Sequence, residues 1–238
     1  MGDAAPLAAS REDGPVVRGR QSPDSLLPIS GSAPNHTGSP GPVSGRGAGG
    51  EGQIDPSSHF QFASSNSPHT VPYYITASRL VSQKRIDLVV EAFTQTPGRE
   101  LIVIGDGPER KRLEAMATPN VRILGHLPEH QMIHWMQHAD AFVFAAEEDF
   151  GIVPVEAMAC GTPVIALGRG GTRETVIDGE TGVFFQDQSP ESLLHAIQRF
   201  ESQSWDADLC VRQAQQFTAA QFRDQLRNVC HQQLASSS

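Results

Sequence analysis

The sequence predicts an α/β fold: a single domain with a six-stranded parallel sheet and helices on both faces, preceded by a disordered tail. Three observations carry this reading. From Tyr73 onward, apolar runs of four or five residues alternate with amphipathic stretches, and the alternation occurs six times before Phe185. Turn-forming clusters punctuate the runs, as in Gly105-Asp106-Gly107-Pro108 and Gly168 to Gly171. Composition breaks near Gln53, where a chain without aromatic residues gives way to one with apolar runs. Strands that alternate with helices pair in parallel, because a crossover helix returns the chain to the same end of the sheet.

The elements follow in order. Tyr73 to Ala77 reads as the first strand, and Lys84 to Thr94 as a helix with Ile86, Val89, Val90 and Phe93 at helical spacing. Leu101 to Ile104 is a buried-type strand, and the Gly-Asp-Gly-Pro turn leads to a helix from Glu109 to Ala117. Val121 to Leu124 is the third strand, Glu129 to His138 the next helix, and Ala141 to Ala145 the fourth strand. A helix from Ile152 to Cys160, a strand from Pro163 to Leu167, a short helix near Thr172 to Ile177 and a last strand from Gly182 to Phe185 complete the sheet. Ser189 to Leu234 reads as two or three helices, the last carrying Phe222, Leu226 and Val229. Residues 1 to 52 hold 11 Gly, 7 Pro and 7 Ser and no Phe, Tyr or Trp. Such a segment cannot bury enough apolar area to offset roughly 1 to 2 kcal/mol of conformational entropy per residue, so disorder is expected there. Residues 53 to 72 are expected to be a linker and 73 to 238 the domain.

Charge and cysteine usage exclude several functions. Among 238 residues, 18 Lys and Arg stand against 27 Asp and Glu, a formal net charge of −9. That balance supplies no general field for nucleic acid or anionic lipid, although a local anion site remains open. Cys160, Cys210 and Cys230 are odd in number and widely spaced, which argues against a disulfide framework or a thiolate zinc site and fits a reducing cytoplasm. No stretch approaches the roughly 18 consecutive apolar residues of a spanning helix, and Met1 to Arg20 lacks a secretory leader's apolar centre. Pro6 also departs from the myristoylation pattern after Gly2. A cytoplasmic protein without a transmembrane segment is expected.

Candidate site residues fall where parallel sheets bind ligands, at strand ends and the starts of the following helices. The run from Glu148 through Asp149, Phe150, Gly151, Ile152, Val153 and Pro154 to Glu156 follows the fourth strand. Gly151 permits close backbone approach, Pro154 is tolerated in a first helical turn, and the N–H groups near Gly151 to Val153 are available to an anion. Glu148 on the loop and Glu156 about one turn into the helix can then address different hydroxyls of one ligand. Glu147 beside Glu148 leaves open which carboxylate points inward, with the spacing to Glu156 favouring Glu148. Arg79 and Lys84 flank the first strand-to-helix turn, and two cations in one crevice suit a diphosphate. Solvated surface charges are the bland alternative for both.

At these residues the chain resembles a known family. SRLVSQKRIDLVVEAF, VIGDGPERKRLE, EEDFGIVPVEAMACGTPVIA and GRGGTRETVIDGETGVFF are similar, in order and spacing, to the C-terminal half of family 4 retaining glycosyltransferases of the GT-B fold, over roughly Tyr73 to Phe222. The resemblance implies a Rossmann-like domain that binds a nucleotide-sugar donor, and its wording is most similar to bacterial-type mannosyltransferases that use GDP-mannose. It implies that Arg79 and Lys84 hold the diphosphate and that Gly151, Ile152 and Val153, after Phe150, present backbone N–H groups to it. It further implies that Glu148 contacts the transferred sugar, Glu156 the ribose, and Gly105, Asp106 and Leu127 the nucleotide pocket. No metal and no separate cofactor is implied, the donor itself being a substrate; the acceptor would be a glycan or a lipid-linked molecule. Full members carry a preceding domain with the acceptor site, a glycine-rich loop and an active-site His. Upstream of Gln53 this sequence has only the tail, so donor binding with poor transfer by the chain alone is expected.

The alternative is an inactive sugar-nucleotide-binding or interaction module. The family's last helix crosses towards the other domain, which would leave Phe222, Leu226 and Val229 exposed for a partner chain or self-association; packing on the domain's own helices is the competing expectation. A dinucleotide-binding reading fails because Arg110 stands at the third glycine position of GxGxxG and no acidic residue ends the third strand. His130, His134 and His138 share a helical spacing able to seat a metal, but a solvated face opposite Met132, Ile133, Trp135 and Met136 is the stronger reading. Gly170, Gly171 and Glu174 either touch the donor or serve the turn.

Overall fold

Alternate residues of each strand face opposite sides of the sheet, and in this chain both sides are apolar. The computed structural model describes residues 71–236, so the expected tail at 1 to 52 and nearly all of the expected linker lie outside the described residues. Six strands alternate with helices: β1 (Tyr73–Ala77), α1 (Ile86–Thr94), β2 (Glu100–Ile104), α2 (Arg110–Met116), β3 (Val121–Gly125), α3 (Glu129–His138), β4 (Ala141–Phe144), α4 (Ile152–Ala159), β5 (Val164–Leu167), α5 (Thr172–Thr175) and β6 (Gly182–Phe185). Three helices follow, α6 (Pro190–Glu201), α7 (Ala207–Ala214) and α8 (Ala219–Ser236). The strands run in the order β3-β2-β1-β4-β5-β6, every pairing parallel.

The two faces form two cores. Tyr74, Leu101, Val103, Val143, Ile165 and Leu167 pack with Val89 and Phe93 of α1, Leu113 of α2 and Leu193 and Ile197 of α6. On the opposite face, Tyr73, Ile75, Ile102, Phe142, Phe144 and Val164 pack with Trp135 and Met136 of α3, Val155 and Met158 of α4 and Cys210 of α7. Every residue of β1, β4 and β5 is buried, as expected of a parallel sheet covered on both sides. The strand order reverses direction between β1 and β4, which opens a crevice at their C-terminal ends.

Four expectations are corrected. The helix expected from Lys84 begins at Ile86: Ser82–Lys84 form a short 3-10 turn, and Arg85 takes the left-handed conformation at φ 52° before α1 starts. The helix expected to reach Ile177 stops at Thr175, because Val176 is extended and the Ile177 N–H is taken by the Thr181 hydroxyl at 2.9 Å. β4 ends at Phe144 and α4 at Ala159, one residue short of expectation in each case. Of the two expectations for the apolar stripe of α8, exposure is the one seen: Phe222, Leu226 and Val229 are 64%, 50% and 53% exposed. No helix among the described residues is long and apolar enough to cross a membrane.

Candidate functional site

The crevice walls are built by backbone. The loops after β1, β2 and β3 are tied together by a ladder: Ser78 N–H donates to Ile104 O at 3.0 Å, Leu80 N–H to Asp106 O at 2.9 Å, and Gly105 N–H to Gly125 O at 2.8 Å. Gly105 has φ +133°, and a Cβ there would lie 1.8 Å from Ser78 O. Only glycine fits, so this glycine serves close approach of two loops. Asp106 closes the turn, its carboxylate accepting from the Gly107 N–H at 2.7 Å and from Arg110 at 2.9 Å. Those two hydrogen bonds, the backbone one foremost, hold its carboxyl below the usual carboxylate range.

Between these loops and α4 lies an open cavity of about 620 Å³. Arg79, Gly105, Asp106, Leu127 and Val153 line it, together with Ala77, Ser78, Ile104, His126, Glu129 and Met132. Four residues from three separate sequence motifs, with Leu127 from the segment after β3, are thus brought to one cavity. Gly151 caps α4 in the left-handed conformation at φ 78°, with no side chain bonded to the helix start. Val153, in the first turn of α4, forms part of the cavity wall, whereas Phe150, Gly151, Ile152 and Glu156 are not among the residues that line it. Phe150 packs edge-on against Phe217 at 5.7 Å and stays 39% exposed, while Ile152 is 64% exposed.

Lys84 and Glu148 are not among the residues lining that cavity; they are paired with each other, Lys84 Nζ donating to Glu148 Oε1. Glu148 is half-buried and Glu147 exposed. Gly170 and Gly171 pack beneath this loop: Gly171 N–H donates to Glu148 O at 2.8 Å, and a Cβ on Gly170 would lie 2.3 Å from the same oxygen. The left-handed φ of +62° at Gly170 and the close backbone approach at both positions account for these glycines by the needs of the turn. Glu156 sits half-buried in α4, and burial first, then the charge of Glu129, pushes its carboxyl above the ordinary range. Burial and Glu156 together push the Cys160 thiol up to about 11, so it is not an activated nucleophile. In α3, His134 and His138 rings lie 4.4 Å apart, and burial followed by the His138 charge lowers the His134 pKa.

The family model for glycosyl transferases group 1 matches residues 57–217. The chain belongs to this family. A GDP-mannose-dependent monoacylated alpha-(1-6)-phosphatidylinositol monomannoside mannosyltransferase of Corynebacterium glutamicum is 35% identical over 139 residues, which is 52% of this chain and 36% of that relative. Among solved structures, sucrose-phosphate synthase from Thermosynechococcus elongatus superposes with TM-score 0.59 at 28% identity, over 71% of this chain and 47% of its own. Anabaena HepE in complex with UDP-glucose superposes with TM-score 0.57 at 25% identity, over 68% and 49%. The match therefore spans between about a third and a half of each relative's length. The described α/β domain is Rossmann-like, as in one half of these GT-B glycosyltransferases.

For a group 1 glycosyltransferase domain, the lining residues that sequence reasoning missed are the instructive ones. Ser78 and His126 lie next to singled-out residues at strand ends, so extending each motif by one position finds them. Glu129 is harder, because a Glu at a helix start reads as favourable helix-dipole chemistry and nothing local shows that it faces Glu156.

Proposed function

We propose that this domain binds a nucleotide-diphosphate sugar, with GDP-mannose as the favoured donor, for retaining glycosyl transfer to a glycan or lipid-linked acceptor. The observation that carries the reading is the cavity at the sheet's crevice, where Arg79, the glycine loop at Gly105 and the first turn of α4 converge. Arg79 and Lys84 supply positive charge, and the α4 N-terminus supplies unpaired N–H groups, for a diphosphate that gains negative charge as the sugar leaves. Glu148 accepts hydrogen bonds from sugar hydroxyls, and Glu156 from the ribose. The base lies between the loops carrying Gly105 and Leu127. Donor choice rests on the mannosyltransferase relative and on the wording of the motifs, and the nucleotide-sugar class also on the UDP-glucose complex of HepE. No metal is assigned a role. For the chain alone, donor binding with slow transfer is expected, since acceptor positioning and water exclusion supply much of such a rate.

The test is calorimetric titration of the chain with GDP-mannose, with UDP-glucose, GDP and NAD as comparisons. Saturable binding of GDP-mannose is expected, weakened about 10-fold or more by Arg79→Ala, consistent with the loss of a hydrogen bond to a charged group. A folded chain that binds none of the four overturns the reading.

A further inference from the structure

Lys84 and Glu148 stand 64 positions apart in the sequence and meet as an ion pair, with 29% and 28% of their side-chain surfaces exposed. Both ends are fixed by contacts that involve no ligand. Beside Lys84, Arg85 holds its left-handed conformation and its Nη1 donates to Gln188 Oε1 at 3.0 Å. Gln188 Nε2 in turn donates to the Ala145 carbonyl at 2.9 Å, three residues before Glu148. The Glu148 carbonyl is itself held by the Gly171 N–H. Two loops are thus locked so that one acidic and one basic side chain face each other, which distinguishes the pair from two flexible surface chains that meet in passing.

We infer that this pair makes the site select sugar-bearing nucleoside diphosphates over the bare nucleoside diphosphate. The inference rests on the donor-site reading above. A diphosphate that takes Lys84 competes with Glu148 for its ammonium. When the ligand is a bare nucleoside diphosphate, its terminal phosphate carries one more negative charge than the esterified form, and the released Glu148 carboxylate faces that charge with no donor in place of Lys84. When the terminal phosphate bears a sugar, esterification removes that charge and the sugar hydroxyls donate to the carboxylate that Lys84 has left. Glu148 therefore penalises the spent nucleotide and rewards the fresh donor, and the site is biased towards exchange of one for the other.

The experiment titrates the full chain and its Glu148→Gln variant with GDP and with GDP-mannose, and with UDP and UDP-glucose where the guanosine nucleotides do not saturate. In Glu148→Gln, the bare diphosphate binds about fivefold tighter and the sugar nucleotide at least about twofold weaker, so the ratio of the two affinities moves by about 10-fold. A merely structural role for Glu148 moves both ligands in the same direction. Lys84→Met weakens both ligands and moves the ratio by less than about threefold. Glu148→Asp keeps the charge and shortens its reach; it moves the ratio the same way by a smaller amount and serves as the readout if the glutamine variant fails to fold. An unchanged ratio in a folded variant overturns the inference and leaves the donor site standing. No saturable binding of any of the four nucleotides to the unaltered chain overturns the donor-site reading and the inference with it.

Discussion

Glu156 is a carboxylate held where ionisation is disfavoured, by burial and by the facing Glu129. Its folded-state pKa lies above the unfolded value, so folding carries no penalty from this group at low pH, and stability is lost as pH rises through the folded pKa. Glu156→Gln removes that loss. The variant is expected to be more stable than the unaltered chain at pH 7, with the gain shrinking as the pH falls, as read from urea unfolding at pH values on the two sides of the carboxylate range. The donor site predicts the opposite for function: Glu156→Ala weakens sugar-nucleotide binding about 10-fold to 100-fold, the loss of about 1.5 to 3 kcal/mol in charge-assisted hydrogen bonds. A gain in stability joined to a loss in affinity identifies a residue kept for its ligand. Equal affinity in the alanine variant removes Glu156 from the site.

At the scale of elements, the strand-end loops decide the shape of the crevice. Gly105→Ala places a Cβ 1.8 Å from Ser78 O at φ +133°, so the ladder between the first two loops must open. A loss of more than about 2 kcal/mol in urea unfolding is expected, whereas Gly98→Ala, with nothing within 4 Å of the added carbon, stays within about 0.5 kcal/mol. The sheet and most helices were legible in the sequence because parallel strands covered on both faces are nearly continuous apolar runs, as in Leu101 to Ile104 and Val164 to Leu167. Arg85 shows where that reading fails. An arginine carries no local mark of a left-handed conformation, so the amphipathic pattern that starts at Ile86 reads as continuous back through it. The short α5 fails for a related reason, since the Thr181 side chain that claims the Ile177 N–H comes from the next turn. Arg79, Gly105, Asp106, Leu127 and Val153 of the cavity wall were legible from their places at strand ends and helix starts. The pairing of Lys84 with Glu148 depends on loop packing, and the approach of Glu129 to Glu156 on the packing of α3 against α4, and no single motif encodes either.

At the scale of the whole molecule, α8 is set apart from the two cores. All its residues from Ala219 to Leu234 are exposed, and among them Phe222, Leu226 and Val229 recur at a spacing that forms one stripe. An 18-residue helix whose described side chains are all exposed is marginal in water, because helix stability in proteins comes mainly from burial of an amphipathic face. The domain core therefore gains little from α8, and α8 gains little from the domain. Truncation after Thr218 is expected to leave the unfolding free energy unchanged within about 0.5 kcal/mol, while backbone amides of α8 in the full chain exchange with solvent far faster than those of β1 or β4. The same stripe is where self-association acts if the helix serves a partner: the mass measured by light scattering then rises with protein concentration, and the double substitution Phe222→Ser with Leu226→Ser abolishes the rise. A slow-exchanging α8 in a chain of concentration-independent mass contradicts both expectations, since it requires packing against the chain's own core that the exposed stripe does not make.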